Sequence, residues 1–255
     1  MPKVITVTNQ KGGVGKTALA VHIAAYAAAT GKKTLLVDLD VQRNATFILT
    51  GKATNEGYCV TDLWDRQKPI AFADTRFGSL KLLPGQEAVG FIQEQGLIAG
   101  INAMKRLMRE DFDVLVFDTP PAAGVQQFSP LYLGGVMVAP VEPDLLAMQG
   151  VSSLLRIWKG VNDRIKDLVP AMVINKRVLN STNQQAVVDV LLASGLGKYV
   201  LSTQLTLRQQ VPNALKRGLT VWQAERTDPA AAAWAGICQE ILNLQKDKEA
   251  ENGEN

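Results

Sequence analysis

The amino-acid sequence predicts an α/β protein with a doubly wound, mostly parallel sheet and helices on both faces. Short apolar strands alternate with helical segments along the chain, which is the pattern of this fold class. The strands are almost continuously apolar, as strands covered on both faces are. Glycines and aspartates follow several strands directly, and ligands of such sheets bind at the carboxyl ends of the strands. A ligand site is therefore expected at that edge.

Each predicted strand is a short apolar run, and the segments between them have helical periodicity or are rich in alanine. The predicted strands cover residues 3–8, 33–38, 80–84, 113–118, 135–140 and 171–175, with a further short strand at 199–201. The predicted helices cover residues 18–30, 98–110, 145–161, 184–193 and 229–248. Gly31 closes the first helix, as glycine commonly does.

Length and composition are those of an ordinary globular protein. The chain has 255 residues, of which 47% are hydrophobic and 20% charged, with a net charge of +3. No apolar run approaches the roughly 18–20 residues that span a bilayer, and the first residues lack the pattern of a secretory signal. We expect a cytoplasmic protein with one domain over residues 1–245 and a polar, disordered tail over residues 246–255.

Cysteine and histidine are scarce, which argues against several kinds of site. Cys59 and Cys238 are too few and too far apart for a disulfide framework or a four-thiolate metal site. The single histidine, His22, lies in an alanine-rich helical pattern, where a structural role is expected. Packed thiols and a packed imidazole are therefore predicted.

A glycine-rich segment joins the first strand to the first helix and reads Asn-Gln-Lys-Gly-Gly-Val-Gly-Lys-Thr over residues 9–17. Glycines let the backbone turn tightly and direct its N–H groups inward, and the helix N-terminus favours an anion. Lys16 can reach the β- and γ-phosphates of ATP, and the Thr17 hydroxyl can hold Mg²⁺. The fold is thus predicted to be of the P-loop NTPase type. The predicted nucleotide-binding residues of this loop are Gly12, Gly13, Val14, Gly15, Lys16, Thr17 and Ala18.

The loop departs from the strict pattern G-x-x-x-x-G-K-[ST], because Gln10 stands where a glycine is required and Lys11 is an additional lysine. Lys-Gly-Gly-Val-Gly-Lys-Thr resembles the deviant Walker A motif of the ParA/MinD family. The resemblance implies a homodimer that sandwiches two ATP molecules, with Lys11 reaching the partner's phosphates. Ala18 stands where the family usually has a second threonine, but the predicted Mg²⁺ ligand Thr17 is retained.

Two further segments resemble motifs of the same family. Residues 35–46, Leu-Leu-Val-Asp-Leu-Asp-Val-Gln-Arg-Asn-Ala-Thr, are similar to its Walker A′ segment, although valine and Arg43 replace the usual proline and glycine. Residues 114–121 resemble the Walker B strand. The resemblance implies that Asp38 and Asp118 organise the Mg²⁺ shell with Thr17. It also implies that Asp40 orients the attacking water, so that Lys11, Lys16 and Asp40 are the predicted catalytic residues.

The resemblance continues to about Trp222. Asn175 ends a strand similar to the one whose asparagine contacts adenine in the family. Residues 207–222 resemble the region of plasmid-type ParA proteins that binds non-specific DNA. Phosphate contacts by lysine and arginine give affinity without reading sequence. The predicted DNA-binding residues are Arg208, Lys216, Arg217 and Arg226.

Other branches of the family fit less well. A MinD-like branch binds membrane through an amphipathic C-terminal helix, but residues 245–255 have no apolar face and several acids, so no membrane binding is expected. An iron–sulfur branch needs interface cysteines, which Cys59 and Cys238 do not supply. The favoured hypothesis is a slow partition ATPase that segregates a plasmid or chromosome with a ParB-like or other cargo adaptor protein.

Two alternatives stay open. One is a ParA-like positioner of protein cargo, and the other is a biosynthetic ligase or amidotransferase, because such enzymes share the phosphate loop and a parallel sheet. No DNA-reading domain is expected before Lys3, since the first strand begins at once. A protein partner is therefore expected to recognise the cargo site.

Overall fold

A computed structural model describes residues 1–52, 58–144 and 147–244. Its centre is a seven-stranded sheet in the order β3-β4-β2-β5-β1-β6-β7. All the strand pairs are parallel except that of the two-residue β3 with β4, so the predicted fold class is confirmed. The strands are β1 (Lys3–Val7), β2 (Thr34–Asp38), β3 (Ala73–Asp74), β4 (Leu80–Leu83), β5 (Val114–Asp118), β6 (Gly135–Val141) and β7 (Leu168–Ile174).

Helices cover both faces of the sheet. The described α-helices are α1 (Lys16–Ala29), α2 (Asn44–Thr50), α3 (Gly96–Leu107), α4 (Val125–Phe128), α5 (Ala147–Ile165), α6 (Thr182–Ala193), α7 (Gln210–Lys216), α8 (Val221–Ala224) and α9 (Pro229–Asn243). One apolar core joins α1, α2, α7, α8 and α9 to one face. The opposite face packs against α3 and α4 and, beside β6 and β7, against α5 and α6.

The three central strands end together, which places the functional side chains. Val7 of β1 is the cross-strand partner of Asp118, and Asp118 is in turn the partner of Asp38. Adjacent strands lie about 4.8 Å apart. The two aspartates that follow apolar runs in the sequence therefore meet at one edge, next to the loop that leaves β1.

Several predicted elements differ from the structure. The helix expected at 98–110 ends at Leu107, and the one expected at 145–161 continues to Ile165. The strand expected at 199–201 is wrong: residues 197–199 form a 3₁₀ turn, and Val200 makes only an isolated bridge to Met172. Strand β7 begins at Leu168, earlier than predicted, although Pro170 lies inside it. Because β7 is an edge strand, the missing proline N–H leaves no neighbour unpaired. The described part of the last helix ends at Asn243.

The expected tail at 246–255, the end of the predicted last helix and the first two residues of the helix predicted at 145–161 lie outside the described residues. None of the helices in the described ranges combines the length and apolar character needed to cross a bilayer.

Candidate nucleotide-binding site

The loop between β1 and α1 has the backbone of an anion-binding nest. Gly13 and Gly15 have φ angles of 75° and 96°, a left-handed region that glycine adopts without strain. Gly15 caps α1, and its carbonyl accepts from the N–H of Leu19 at 2.9 Å. No side chain caps this helix end, so the first N–H groups of the helix are available to an anion.

Lys16 is turned into the loop. It is only 7% exposed, and its Nζ donates to the Lys11 carbonyl at 3.1 Å. Burial lowers the pKa of its ammonium, while Asp118 and Asp40 act in the opposite direction. The loop thus holds a cation on the side where its N–H groups would bind phosphate.

The side chain of Lys11 has a different partner. Residues 10–13 are exposed, and the Lys11 ammonium forms an ion pair with Asp144. The backbone N–H of Lys11 donates to the Asn9 side chain at 2.9 Å, and Asn9 donates to the Pro140 carbonyl at 2.8 Å. The loop is therefore anchored to β6, while the ammonium of its first lysine lies at the surface.

Asp38 is fully buried and well bonded. It accepts from the N–H and the hydroxyl of Thr46 at 2.8 and 2.7 Å, and from the N–H of Asp40 at 3.2 Å. Burial raises its pKa to about 6, although the Thr46 hydrogen bonds favour the charged form. Thr46 also accepts from the N–H of Gly85 through its hydroxyl, so α2 and the chain after β4 both hold this carboxylate.

Asp118 is equally buried but lacks such bonds. Neither carboxylate oxygen has a hydrogen-bond partner of normal geometry among the described residues, although the Thr17 hydroxyl is close enough to lower its pKa. Burial, and then repulsion from Asp38, raise that pKa well above its usual range. A pair of buried carboxylates beside a hydroxyl is a set of hard oxygen donors that fits Mg²⁺.

The described residues contain no cluster of three histidine, cysteine, aspartate or glutamate side chains that would enclose a metal. Magnesium does not need one, since it usually keeps several waters and binds one or two carboxylates together with substrate phosphates. The donor set of Thr17, Asp38 and Asp118 therefore fits a magnesium ion that arrives with a nucleotide.

Asp40 lies at the rim of this pair and is 7% exposed. Its Oδ1 accepts from the N–H of Gln42 at 2.9 Å. Arg43, which replaces the family's usual glycine, keeps a left-handed backbone with φ of 56° and pairs with Glu87 at 3.0 Å. The substitution therefore leaves a glycine-like turn after Asp40, at a cost of about 1 kcal/mol.

Asn175 lies under the phosphate loop. It is 4% exposed and donates from its side chain to the Val14 carbonyl at 2.7 Å, while its backbone N–H donates to Val141 at 2.8 Å. Beside it is a cavity of about 160 Å³, lined by Gly15, Ala18, Asn175, Thr206, Leu207, Arg208 and others. Pockets for drug-sized ligands hold roughly 300–1,000 Å³, so this cavity suits a base rather than a whole nucleotide.

A cavity of about 800 Å³ lies at the opposite edge of the sheet, among Lys3, Tyr26 and Asp113. It is larger, but it lies at the amino ends of the strands, away from the loop and the acids. Ligands of parallel sheets bind at the carboxyl ends, so the smaller cavity is the one that belongs to the candidate site.

The four predicted DNA-binding residues have different environments. Arg208 is half-buried at the rim of the small cavity, and its Nε donates to the Thr206 hydroxyl at 3.3 Å. Lys216 and Arg226 are exposed, and Arg217 lies 3.9 Å from Glu225. Of the four, Arg208 is the one that lines the cavity containing Asn175.

Sequence reasoning missed one cation beside the predicted DNA-binding residue Arg217. Arg76, which follows β3, donates to the Arg217 carbonyl at 3.1 Å and its guanidinium packs at Gly218. Thr46 was also missed as the main support of Asp38. Arg76 is distant in sequence from the residues it contacts, and no motif marks it. Thr46 ends the segment that resembles Walker A′, but only the structure shows its hydrogen bonds to Asp38.

Comparison with known proteins agrees with this geometry. A family profile described as an AAA domain matches residues 2–170. The chromosome-partitioning ATPase Soj of Thermus thermophilus is 31% identical over 245 residues, which cover 93% of this chain and 94% of Soj. The chain belongs to the ParA/MinD family of ATPases.

Solved structures support the same ParA/MinD fold. The structure of apo McdA from Cyanothece has a TM-score of 0.82 at 17% identity, covering 95% of this chain and all of that one. Cobyrinic acid a,c-diamide synthase from Mycobacterium smegmatis, with bound ADP and magnesium, has a TM-score of 0.79 at 25% identity and covers 95% and 94% of the two chains. Nucleotide and magnesium are thus found together on this fold.

Proposed function

We propose that this ParA/MinD-family ATPase dimerises on ATP, binds non-specific DNA as the ATP dimer, and positions a plasmid or chromosome with a partner protein. Its relative from Thermus thermophilus is named a chromosome-partitioning ATPase. A ParB-like protein or other cargo adaptor is expected to stimulate hydrolysis. The proposed location is the nucleoid, and no membrane contact is proposed.

The observation that carries this proposal is that the two lysines of one loop have different partners. Lys16 lies inside the loop with its ammonium on the Lys11 carbonyl, whereas the Lys11 ammonium is at the surface with Asp144. With Lys16 already beside its own phosphate site, the exposed Lys11 would exchange its surface ion pair with Asp144 for the phosphates of a second copy. An added positive charge there stabilises the charge that develops on the transferred phosphoryl group.

Residues of this chain supply the remaining requirements for hydrolysis. Thr17, Asp38 and Asp118 would hold Mg²⁺, which neutralises phosphate charge when bound. Asp40 would orient a water for in-line attack on the γ-phosphorus, so that ADP leaves and inorganic phosphate forms. Turnover without a partner should be slow, because the described loop presents no arginine to the transferred group.

The proposed DNA surface combines Lys216, Arg217 and Arg226 with Arg76. Two such surfaces on one rigid dimer bind more tightly than one, through effective concentration. Arg208 remains a predicted DNA contact. Because it lines the cavity proposed for the base, nucleotide binding would change its environment and so affect the DNA surface.

Dimerisation is tested by light scattering with a non-hydrolysable ATP analogue and Mg²⁺. Wild-type protein should become a dimer, and Lys11→Ala should bind the analogue yet remain a monomer. Lys32→Ala, which removes an exposed lysine at the far end of α1, is the control and should dimerise normally. A Lys11→Ala dimer would show that the lysine does not act across subunits.

DNA binding is tested with the same analogue on a random-sequence duplex. The pair Lys216→Glu and Arg217→Glu should lose at least tenfold in affinity while still dimerising. The matched pair Arg156→Glu and Lys159→Glu, which reverses two exposed cations of α5, should change affinity much less. Equal losses of DNA affinity in the two pairs would show that Lys216 and Arg217 do not form the DNA-binding surface.

The similarity to cobyrinic acid a,c-diamide synthase favours a second candidate, a biosynthetic ligase or amidotransferase. The two functions differ in what stimulates ATP turnover. DNA together with a partner protein should accelerate hydrolysis by a partition ATPase, whereas a ligase needs its acceptor substrate. Turnover that does not respond to DNA and partner, in protein that also fails to dimerise, would favour the second candidate. A ParA-like positioner of protein cargo would instead dimerise and bind DNA without a DNA cargo site.

A further inference from the structure

A groove of about 610 Å³ lies on the sheet face opposite α1, between α3 and the 3₁₀ segment Val60–Trp64. It is remote from the phosphate loop and the predicted DNA residues, none of which lines it. The described residues that line it include four cations, Arg66, Lys105, Arg106 and Arg109, and no carboxylate. The proposed function makes no use of it.

The positive charge of this groove is not neutralised by neighbours. Among the described residues, none of the four cations is ion-paired with a carboxylate. The nearby Asp62 is paired with Lys68 instead, and the Asp65 carboxylate accepts from the N–H of Gln67 at 2.9 Å. The described lining of the groove therefore carries positive charge with no ion-paired carboxylate, and a concave wall concentrates the field of such charges.

Arg106 holds the wall of the groove in place without losing its own charge. Its guanidinium donates to the carbonyls of Asp62, Leu63 and Asp65 at 3.1, 3.0 and 2.7 Å, and to that of Lys68 at 2.7 Å. Two of these bonds reach the 3₁₀ segment and two reach the turn after it, so together they pin this wall of the groove to α3. Because every acceptor is an uncharged carbonyl, the charge remains available to a ligand.

The groove also has an apolar strip. Ile98 is 77% exposed at the first turns of α3, and the half-buried Trp64 and Ala99 lie beside it. Ile98, Asn102 and Lys105 follow each other at helical spacing along α3, and Arg109 lies just beyond its end. The strip from Ile98 to Arg109 is roughly 16 Å long at 1.5 Å per residue, so it is apolar at one end and cationic at the other.

We propose that this groove binds an acidic segment of a partner protein, in the form of a helix of about three turns with a bulky apolar side chain. The apolar residue would cover Ile98 and Trp64, and carboxylates would face Lys105, Arg109 and Arg66. This is recognition of an amphipathic helix in a groove, with charge complementarity setting partner and register. The inference goes beyond the proposed function and needs neither nucleotide nor dimer.

The chemistry favours an acidic peptide over nucleic acid. A phosphate backbone would match the cations, but it has no apolar group to remove Ile98 from water. Burying an exposed isoleucine contributes about 1.5–3 kcal/mol, which only a ligand with an apolar side chain gains. A concave wall also receives a narrow helix more readily than the wide surface of a duplex.

The test uses a fluorescein-labelled peptide of about 14 residues, roughly 21 Å long as a helix, with leucines on one face and glutamates flanking them. Fluorescence anisotropy is measured against full-length protein without nucleotide. Wild-type protein should bind saturably, and the pair Lys105→Glu and Arg109→Glu should weaken binding at least tenfold. Lys105→Gln with Arg109→Gln, which removes charge without reversing it, should give an intermediate loss.

Two controls separate this groove from general attraction. The pair Arg156→Glu and Lys159→Glu on α5 changes net charge equally and should leave peptide affinity within about twofold. Ile98→Ser retains every cation and should weaken binding by about fivefold or more. Circular dichroism and the thermal midpoint confirm that each variant is folded.

Three results would overturn the proposal. One is the absence of saturable binding to wild-type protein below about 1 mM, and another is an equal loss from the α3 and α5 pairs. The third is that a DNA duplex loses as much affinity as the peptide in the α3 pair, which would assign the groove to nucleic acid. A peptide with lysine in place of glutamate should not bind.

Discussion

Asp118 must be ionised to bind Mg²⁺ in the proposed function, but its buried position makes the ionised form unfavourable for stability. It is fully buried, its oxygens lack hydrogen-bond partners of normal geometry in the described chain, and Asp38 lies on the neighbouring strand. Burial and this neighbour raise its pKa, which means that the folded protein resists ionising it. Ionisation at neutral pH therefore destabilises the ligand-free fold, and a bound cation would remove that penalty.

Replacing Asp118 with asparagine should separate the two effects. Asp118→Asn should raise the unfolding free energy of the ligand-free protein by about 1–3 kcal/mol, and it should abolish the extra thermal shift that Mg²⁺ adds to ATP. Asp163→Asn on the exposed side of α5 is the control and should do neither. Urea denaturation and thermal melts with ATP, with and without Mg²⁺, provide the measurement. A retained Mg²⁺-dependent shift would contradict the assigned role.

Asp38 adds a pH dependence of known sign. Its pKa is raised from 3.8 to about 6, so the folded state binds a proton that the unfolded chain has already lost between these pH values. Its contribution to stability is therefore greatest below pH 4 and falls as the pH rises through 6. Since Mg²⁺ competes with that proton, Mg²⁺-dependent ATP binding should weaken as the pH falls below 6. Affinity that is unchanged between pH 7.5 and 5.5, a range chosen around this pKa, would contradict it.

At the scale of elements, the junction of the phosphate loop with α1 depends on the absence of a side chain. A Cβ at Gly15 would lie 2.5 Å from the side-chain nitrogen of Asn175, and φ there is 96°. Asn175 cannot move aside freely, because the same nitrogen donates to Val14. The loop, the helix and β7 are thus fitted to one another at this position.

We predict that Gly15→Ala destabilises the protein by about 1–3 kcal/mol and weakens ATP binding at least tenfold. Gly12→Ala is the matched control for stability, because a Cβ at Gly12 meets nothing within 4 Å and its φ is not left-handed. Unfolding in urea and titration with a fluorescent ATP analogue give the two readouts. Equal stability of the two variants would show that the contact with Asn175 can relax.

The turn between α7 and α8 is fixed in a similar way. Gly218 has φ of 65°, and a Cβ there would lie 2.7 Å from the Arg76 guanidinium and 2.9 Å from the Ile48 carbonyl. Gly218→Ala should lower the unfolding free energy by about 2–3 kcal/mol. Adding Arg76→Ala should recover only part of this loss, since the Ile48 carbonyl is backbone. Full recovery in the double variant, measured by urea denaturation, would show that the side chain alone is responsible.

At the scale of the whole molecule, His22 links the first helix to the C-terminal helices. Its Nε2 accepts from the N–H of Val221 at 3.1 Å, so the proton must be on Nδ1, which lies 2.7 Å from the Ala18 carbonyl. The ring also packs against Trp222 and Trp234. Burial lowers its pKa from 6.5 to about 4, because protonation would break the bond to Val221 in an apolar core.

Global stability should therefore depend on His22 in acid. The folded pKa lies below the unfolded one, so this contribution is complete above pH 6.5 and is lost as the pH falls through about 4. The total is about 3 kcal/mol. Urea denaturation of wild type and His22→Gln across this range isolates it, since the carboxylates act equally in both. Parallel pH profiles of the two proteins would contradict the prediction.

The alternation of strands and helices, the phosphate loop and the two strand-end aspartates were all available from local sequence. Period and composition report which strands are covered on both faces, and glycines beside Lys16 and Thr17 define a loop chemistry by themselves. Strand β7 was predicted to begin at 171 and begins at Leu168. Pro170 is unfavourable in a central strand but harmless at an edge. Strand position is a property of the whole sheet.

Amino-acid sequence by itself determined the α/β fold class, the loop and the acids of this ParA/MinD-family protein, because each depends on residues near one another in the chain. Tertiary structure alone decided what surrounds them: Thr46 on Asp38, Asn175 under Gly15, Arg76 beside Arg217, and the cationic groove between α3 and the 3₁₀ segment. Each of these contacts joins separate elements, and the sheet order brings those elements together.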